Sequence, residues 1–197
     1  MVRAILFDFG GVIAEEGFRE GLKEIGRKNR LHPDEFFETA TEIVYSTGYV
    51  TGTASESDFW EALRQNMGIK GSDNDLRNEL LKRFKMHSEM LDLIKELKEQ
   101  GLAMFILSDQ TNWLDEINEK YDFFGYFKDV FNSYHLHRNK RDPDLFHDIC
   151  RKIEFRPEDV LFVDDSPANT ERADKMGLQT ITYQGFEQFR KELKDLI

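Results

Sequence analysis

Ala4-Ile5-Leu6-Phe7-Asp8-Phe9-Gly10-Gly11-Val12-Ile13 is a short apolar run closed by an aspartate and followed by a glycine turn. A second apolar run, Val160-Leu161-Phe162-Val163, ends in Asp164-Asp165-Ser166-Pro167. Unbroken apolar runs of this length read as strands buried on both faces, as in a parallel sheet. Open α/β sheets bind ligands at the carboxyl ends of their strands, so acids delivered there by two strands describe a site. Three acidic groups converging at one place repel one another strongly unless a cation sits among them. The sequence therefore points to chemistry on an anionic substrate through a divalent metal.

Working outward, strand and helix signals alternate in the βαβ manner. Strands are expected over Arg3–Asp8, Ala103–Ser108, Asp129–Ser133, Val160–Asp164 and Gln179–Tyr183. Trp113–Tyr121 reads as a helix. Ser88 fits an N-cap for a helix whose face carries Leu91, Ile94 and Leu97 and which stops at Gly101. Asp142-Pro143 and Ser166-Pro167 both look like a cap followed by a proline helix start, the second running to Gly177. The alternation lapses from Glu15 to Lys85, where no strand is convincing. There His32-Pro33-Asp34-Glu35 opens a helix, and Phe59, Trp60, Leu63 and Met67 form an apolar stripe at helical spacing, read as core. Tyr49–Ser57 reads as a polar connection. The expected fold is a three-layer Rossmann-like α/β core, residues 1–13 and 87–197, with an all-helical subdomain at 14–86.

Composition narrows the class. With 197 residues, 40% hydrophobic and 33% charged, the chain reads as a soluble globular protein. A formal net charge of −11 argues against nucleic-acid binding, which needs a basic face. The N-terminal apolar stretch is too short for a signal peptide or a membrane span. The lone Cys150 has no internal disulfide partner and continues an apolar face, so it reads as a core thiol in a reducing, cytoplasmic setting.

Each site residue also has a plainer reading. Asp8 as a mere strand terminator is opposed by the expense of a carboxylate directly after four apolar residues. A helix cap explains Ser166 and one neighbouring acid, but not two acids after a buried strand. Ser108 alone is an ordinary strand end. Lys140, within Arg138-Asn139-Lys140-Arg141, is by default a solvated loop lysine, and His135 and His137 read as surface loop residues. Asp8-Phe9-Gly10 also spells a kinase metal motif, but only seven residues precede it, too few for the upstream parts a kinase needs.

Four stretches in order, Phe7-Asp8-Phe9-Gly10-Gly11-Val12, Leu107-Ser108-Asp109, Lys140-Arg141-Asp142-Pro143-Asp144 and Phe162-Val163-Asp164-Asp165-Ser166-Pro167, resemble the haloacid dehalogenase (HAD) superfamily. The resemblance spans essentially the whole chain and falls in the branch with a helical cap after the first strand. Sugar-phosphate phosphatases and epoxide-hydrolase N-terminal domains are the nearest flavour. It implies a hydrolase of small phosphomonoesters, a phosphorylated metabolite being the substrate. Asp8 would be the nucleophile, forming an aspartyl-phosphate that water then hydrolyses. Ser108, with Asp109 beside it, would bind the phosphoryl group, and Lys140 would neutralise both that group and the nucleophile. Asp8, the carbonyl of Gly10 and Asp165 would hold Mg²⁺, with Asp164 acting directly or through water. Two alternatives stay open: a metal-free dehalogenase, opposed by the paired Asp164 and Asp165, and a degenerate binding or regulatory protein without turnover.

Three positions depart from the family pattern. Gly10 stands where phosphatases usually carry a second aspartate as general acid and base. Arg141 stands where proline is usual, and Asp109 where asparagine is common.

Overall fold

The computed structural model describes residues 1–142 and 144–197. Five strands, β1 (Ala4–Phe7), β2 (Ala103–Ser108), β3 (Asp129–Asn132), β4 (Val160–Asp164) and β5 (Gln179–Thr182), form one parallel sheet in the order β3-β2-β1-β4-β5. Central β1 pairs in register with both neighbours, Phe7 lying opposite Ile106 on one side and Val163 on the other. The chain builds outward from β1 to β3, then returns to place β4 against the free side of β1. The reversal between β1 and β4 is a topological switch point, where a crevice opens beyond the strand ends.

Period-two alternation splits the apolar runs between two cores, as a sheet covered on both faces requires. Ile5, Phe7, Met104, Ile106, Leu161 and Val163 face one layer, built by α5 (Ser88–Glu99), α6 (Trp113–Tyr121) and α10 (Phe186–Leu193). Ala4, Leu6, Phe105, Leu107, Val160 and Phe162 face the other, built by α8 (Asp144–Lys152) and α9 (Pro167–Lys175). Cys150 is buried in that second layer, as expected. A single turn, α7 (Ser133–Leu136), follows β3.

Between β1 and α5 lie four helices, α1 (Gly17–Lys28), α2 (Pro33–Ser46), α3 (Glu56–Met67) and α4 (Asp73–Leu81), around a core of their own. Phe36, Phe59, Trp60, Leu63 and Leu80 fill it, joined by Trp113 from α6. The chain enters and leaves this segment side by side: the Glu15 amide donates to the Lys85 carbonyl at 2.8 Å, and the His87 amide to the Ile13 carbonyl at 2.9 Å.

Some local expectations are corrected. His87, not Ser88, is the N-cap of α5, and its buried face uses Leu93 while Leu91 is only half-buried. The anticipated polar connection holds a short 3₁₀ turn, Tyr49–Thr51, with Tyr49 and Val50 buried; Ser55 then opens α3 with a capping box. Met67 sits at the rim of its stripe. Pro143, of the expected Asp142-Pro143 helix start, lies outside the described residues.

Candidate active site

Asp8 follows directly on β1, and its amide still donates to the Val163 carbonyl at 2.8 Å, so the ladder to β4 fixes where its side chain starts. Its Oδ1 accepts from the Phe9 amide at 2.7 Å and from Ser108 Oγ, at the end of β2, also at 2.7 Å. Lys140 Nζ stands 3.0 Å from the same carboxylate and donates to Asp164 Oδ2, at the end of β4, at 2.6 Å. The lysine expected to be solvated by default is only 1% exposed. One buried ammonium thus bridges the two strand ends.

Charge at this place is unevenly shared. Burial pushes the Lys140 pKa down, but Asp164 first, then Asp8 and Asp109, more than reverse this and raise it. Asp164 is the closer and fully buried partner. It also accepts from the Ser166 amide at 2.8 Å and from Asn169 Nδ2 at 3.2 and 3.1 Å on its two oxygens. Asp8, 3.0 Å from the same ammonium, also feels the repulsion of Asp164. Burial holds its carboxyl above the ordinary range, with Lys140 opposing and Asp164 adding to the rise.

Asp165 completes the group, and oxygens of Asp8, Asp164 and Asp165 lie within 4.8 Å of one another. Among the described residues Asp165 makes no ion pair, and burial followed by repulsion from Asp164 raises its pKa. Three clustered carboxylates, of which only Asp8 and Asp164 pair with the buried ammonium, offer hard oxygen donors that fit a divalent cation such as magnesium. The glycine turn makes room for this. Gly11 has φ 79°, and a β-carbon there would meet Asp165 Oδ2 at 2.4 Å, so both backbone and space demand glycine. Gly10 is not left-handed. A β-carbon there would instead stand 3.1 Å from Glu16 Oε2.

Asp109 behaves unlike its neighbour Ser108. Its Oδ1 accepts from Ser133 Oγ at 2.6 Å and from the Lys140 amide at 2.9 Å, and its Oδ2 from Tyr45 OH at 2.8 Å. A carboxylate has no donor for a phosphoryl oxygen, so what Asp109 can offer an anion is its main-chain N–H. Its side chain ties α7, the Lys140 loop and α2 together. Arg141 strengthens the same seam: its guanidinium lies 3.6 Å from the Tyr45 ring centroid and donates to Glu42 at 3.0 Å. A cleft of about 320 Å³ opens here, with Asp8, Ser108 and Lys140 on one side and Phe37, Tyr45 and Val50 from the helical segment on the other.

The two histidines stay at the surface. His135 is exposed and pairs with Asp115 at 2.7 Å, and exposed His137 meets the Thr51 carbonyl at 2.8 Å. Sequence reasoning missed Tyr45, Asn169 and Glu16. Nothing local marks Tyr45. Asn169 was visible as a polar residue in the first turn of a helix that begins beside two acids. Glu16 caps α1, accepting from the Arg19 amide at 3.2 Å, and glutamate is an unusual choice where serine, threonine, aspartate or asparagine is preferred. Burial, then Asp165, raises its pKa.

D-ribitol-5-phosphate phosphatase of Bacteroides thetaiotaomicron is 24% identical over 210 residues, covering 98% of this chain and 97% of that one. A flavin mononucleotide hydrolase of Arabidopsis thaliana is 24% identical over 139 residues, 69% of this chain and 57% of that protein, so the match spans little more than half of that relative. A HAD family enzyme from Bacteroides thetaiotaomicron, crystallised with magnesium and inorganic phosphate, superposes with a TM-score of 0.73 at 23% identity, covering 93% of this chain and 95% of that one. Residues 2–177, carrying every motif above, match the haloacid dehalogenase-like hydrolase family, and the chain belongs to it.

Proposed function

We propose that this hydrolase is a Mg²⁺-dependent phosphatase of small phosphorylated metabolites, acting through an aspartyl-phosphate on Asp8. The observation that carries the reading is the convergence of Asp8, Ser108 and Lys140 beside Asp164 and Asp165 at the switch point of the sheet. Asp8 and Asp165, with the Gly10 carbonyl, are the groups to hold the metal. Asp164, its oxygens already engaged by Lys140, Ser166 and Asn169, is better used to orient the lysine. When bound, the cation supplies positive charge that offsets repulsion between an anionic substrate and these carboxylates.

The chain's own residues do the rest. A free oxygen of Asp8 attacks phosphorus, and the P–O bond to the leaving group breaks. Ser108, whose hydroxyl donates to Asp8 Oδ1, can turn it to a phosphoryl oxygen. Lys140 keeps its proton throughout and stabilises negative charge on the transferring group. Residues 14–86 act as a cap whose Phe37, Tyr45 and Val50 face the substrate's body. A cytoplasmic setting belongs to the same reading, supported by the unpaired Cys150.

Relatives named as phosphatases support this over a metal-free dehalogenase. Hydrolysis of p-nitrophenyl phosphate and of a panel of phosphorylated sugars and polyols, with Mg²⁺ and after chelation, tests it. Turnover that appears only with Mg²⁺ is expected. Full activity in excess chelator would refute the metal's role, and no phosphate release from any substrate would refute the phosphatase.

A further inference from the structure

Breaking a phosphomonoester leaves an oxygen that must take a proton unless it is stable as an anion, and the donor has to line the same cleft as the nucleophile. Most acidic groups there are already engaged. Asp164 is held by Lys140 and Asn169, Asp109 accepts from three donors, and the hydroxyl of Tyr45 donates to Asp109. Asp8 is the attacking group, and Asp165 belongs to the metal cluster.

Glu16 is different. It lines the cleft with Asp8 and Gly10. Only Oε1 is used by the cap of α1, at 3.2 Å from the Arg19 amide. Among the described residues no cation forms an ion pair with it, and it is not among the carboxylates that could share a metal. Its Oε2 stands 3.1 Å from where a side chain on residue 10 would begin. A carboxylate arriving from α1 thus fills the space beside the nucleophile that the absent side chain of Gly10 leaves open.

On the phosphatase reading above, we infer that Glu16 is the general acid and base of this enzyme. As Asp8 attacks phosphorus, the carboxyl of Glu16 gives its proton to the leaving oxygen, which departs as the alcohol. The resulting Glu16 carboxylate then takes a proton from the water that attacks the aspartyl-phosphate. Phosphate is released, Asp8 is regenerated and Glu16 is again protonated. The assignment stands on placement and on how the neighbouring acidic groups and Tyr45 are engaged. It also explains why Gly10 is glycine although its backbone does not require one: a longer side chain would drive into Glu16.

The test compares Glu16→Gln with wild type on glycerol phosphate, whose leaving alkoxide needs a proton, and on p-nitrophenyl phosphate, whose leaving group does not. Glutamine keeps the cap acceptor but carries no transferable proton. We expect kcat/KM on glycerol phosphate to fall by about 10²-fold or more, and on p-nitrophenyl phosphate by less than about tenfold. Equal losses on both substrates, or no loss on glycerol phosphate, would overturn the inference while leaving the phosphatase standing. Wild type inactive on both, and on the wider panel, would overturn both. Should Glu16→Gln fail to fold, Gly10→Asp/Glu16→Ala returns a carboxylate to the same space from the other side. At least about tenfold more glycerol phosphate turnover than in Glu16→Ala supports the role; no gain refutes it.

Discussion

Asp8 and Glu79 are both largely buried carboxylates, their side chains 13% and 7% exposed, yet they sit in opposite electrostatic positions. For Glu79, on α4, burial would raise the pKa, but Lys28 and Lys82 at 2.6 Å and Arg83 at 2.8 Å overcome it and hold it down at about 2. Asp8 shares one ammonium with Asp164 and is pushed up by burial. Alike in exposed area, the two differ in depth and in cation count: Glu79 lies nearer the surface among three cations, while Asp8 lies deeper and shares one. On the phosphatase reading, a divalent cation would offset that deficit of positive charge. Carboxyls pushed up in a cleft are candidates for function, whereas one pushed down by an ion-pair network fits a structural role.

The largest way to break this contrast is Asp8→Asn. Removing the nucleophile should lower turnover by at least about 10³-fold with the fold retained, measured by phosphate release and circular dichroism. Retained activity, with deamidation excluded by mass spectrometry, would show that Asp8 is not the attacking group.

Mg²⁺ should stabilise the protein because it meets the deficit. At a concentration about 100-fold above its dissociation constant the gain is about 2.7 kcal/mol, visible as a higher Tm. Asp165→Asn should lose most of that shift, while Glu79→Gln should keep it. Equal shifts in both variants would place the ion elsewhere.

Glu79→Gln tests the other side. Its cations are partly solvated, so the loss should be about 1–2 kcal/mol of stability in urea unfolding, with kcat unchanged. The smallest effect concerns pH. A carboxyl held below its unfolded value contributes stability that is complete above about pH 4.5 and is lost as pH falls toward 2. Wild type should therefore lose more stability than Glu79→Gln across that window. Parallel stability curves for the two proteins would mean that the three cations do not hold the acid down.

Much of the molecule was legible before folding. The strands over Ala103–Ser108 and Val160–Asp164 and the helix over Trp113–Tyr121 fall where their patterns put them, because apolar period and end residues act within a few positions. The acids at the ends of β1 and β4 could be read as one site because parallel strands in an open sheet align their carboxyl ends. Helix caps were less secure: His87 displaced Ser88 at α5, and a buried Tyr49 lay inside a stretch that looked polar.

What the sequence determined by itself, then, is the sheet, the two carboxylate-bearing strand ends and the glycine turn between strand and helical segment. Each follows from short-range pattern and steric necessity. Only the tertiary structure decided which polar groups face one another. Lys140 is buried because Asp8 and Asp164, distant in sequence, close on it from two strands. Asp109 turns to Ser133 and Tyr45, and Glu16 reaches back over Gly10 from the N-cap of α1. A charged side chain in a loop carries no periodic signal; its partner and its burial depend on how separate segments pack, and those set what the charge does.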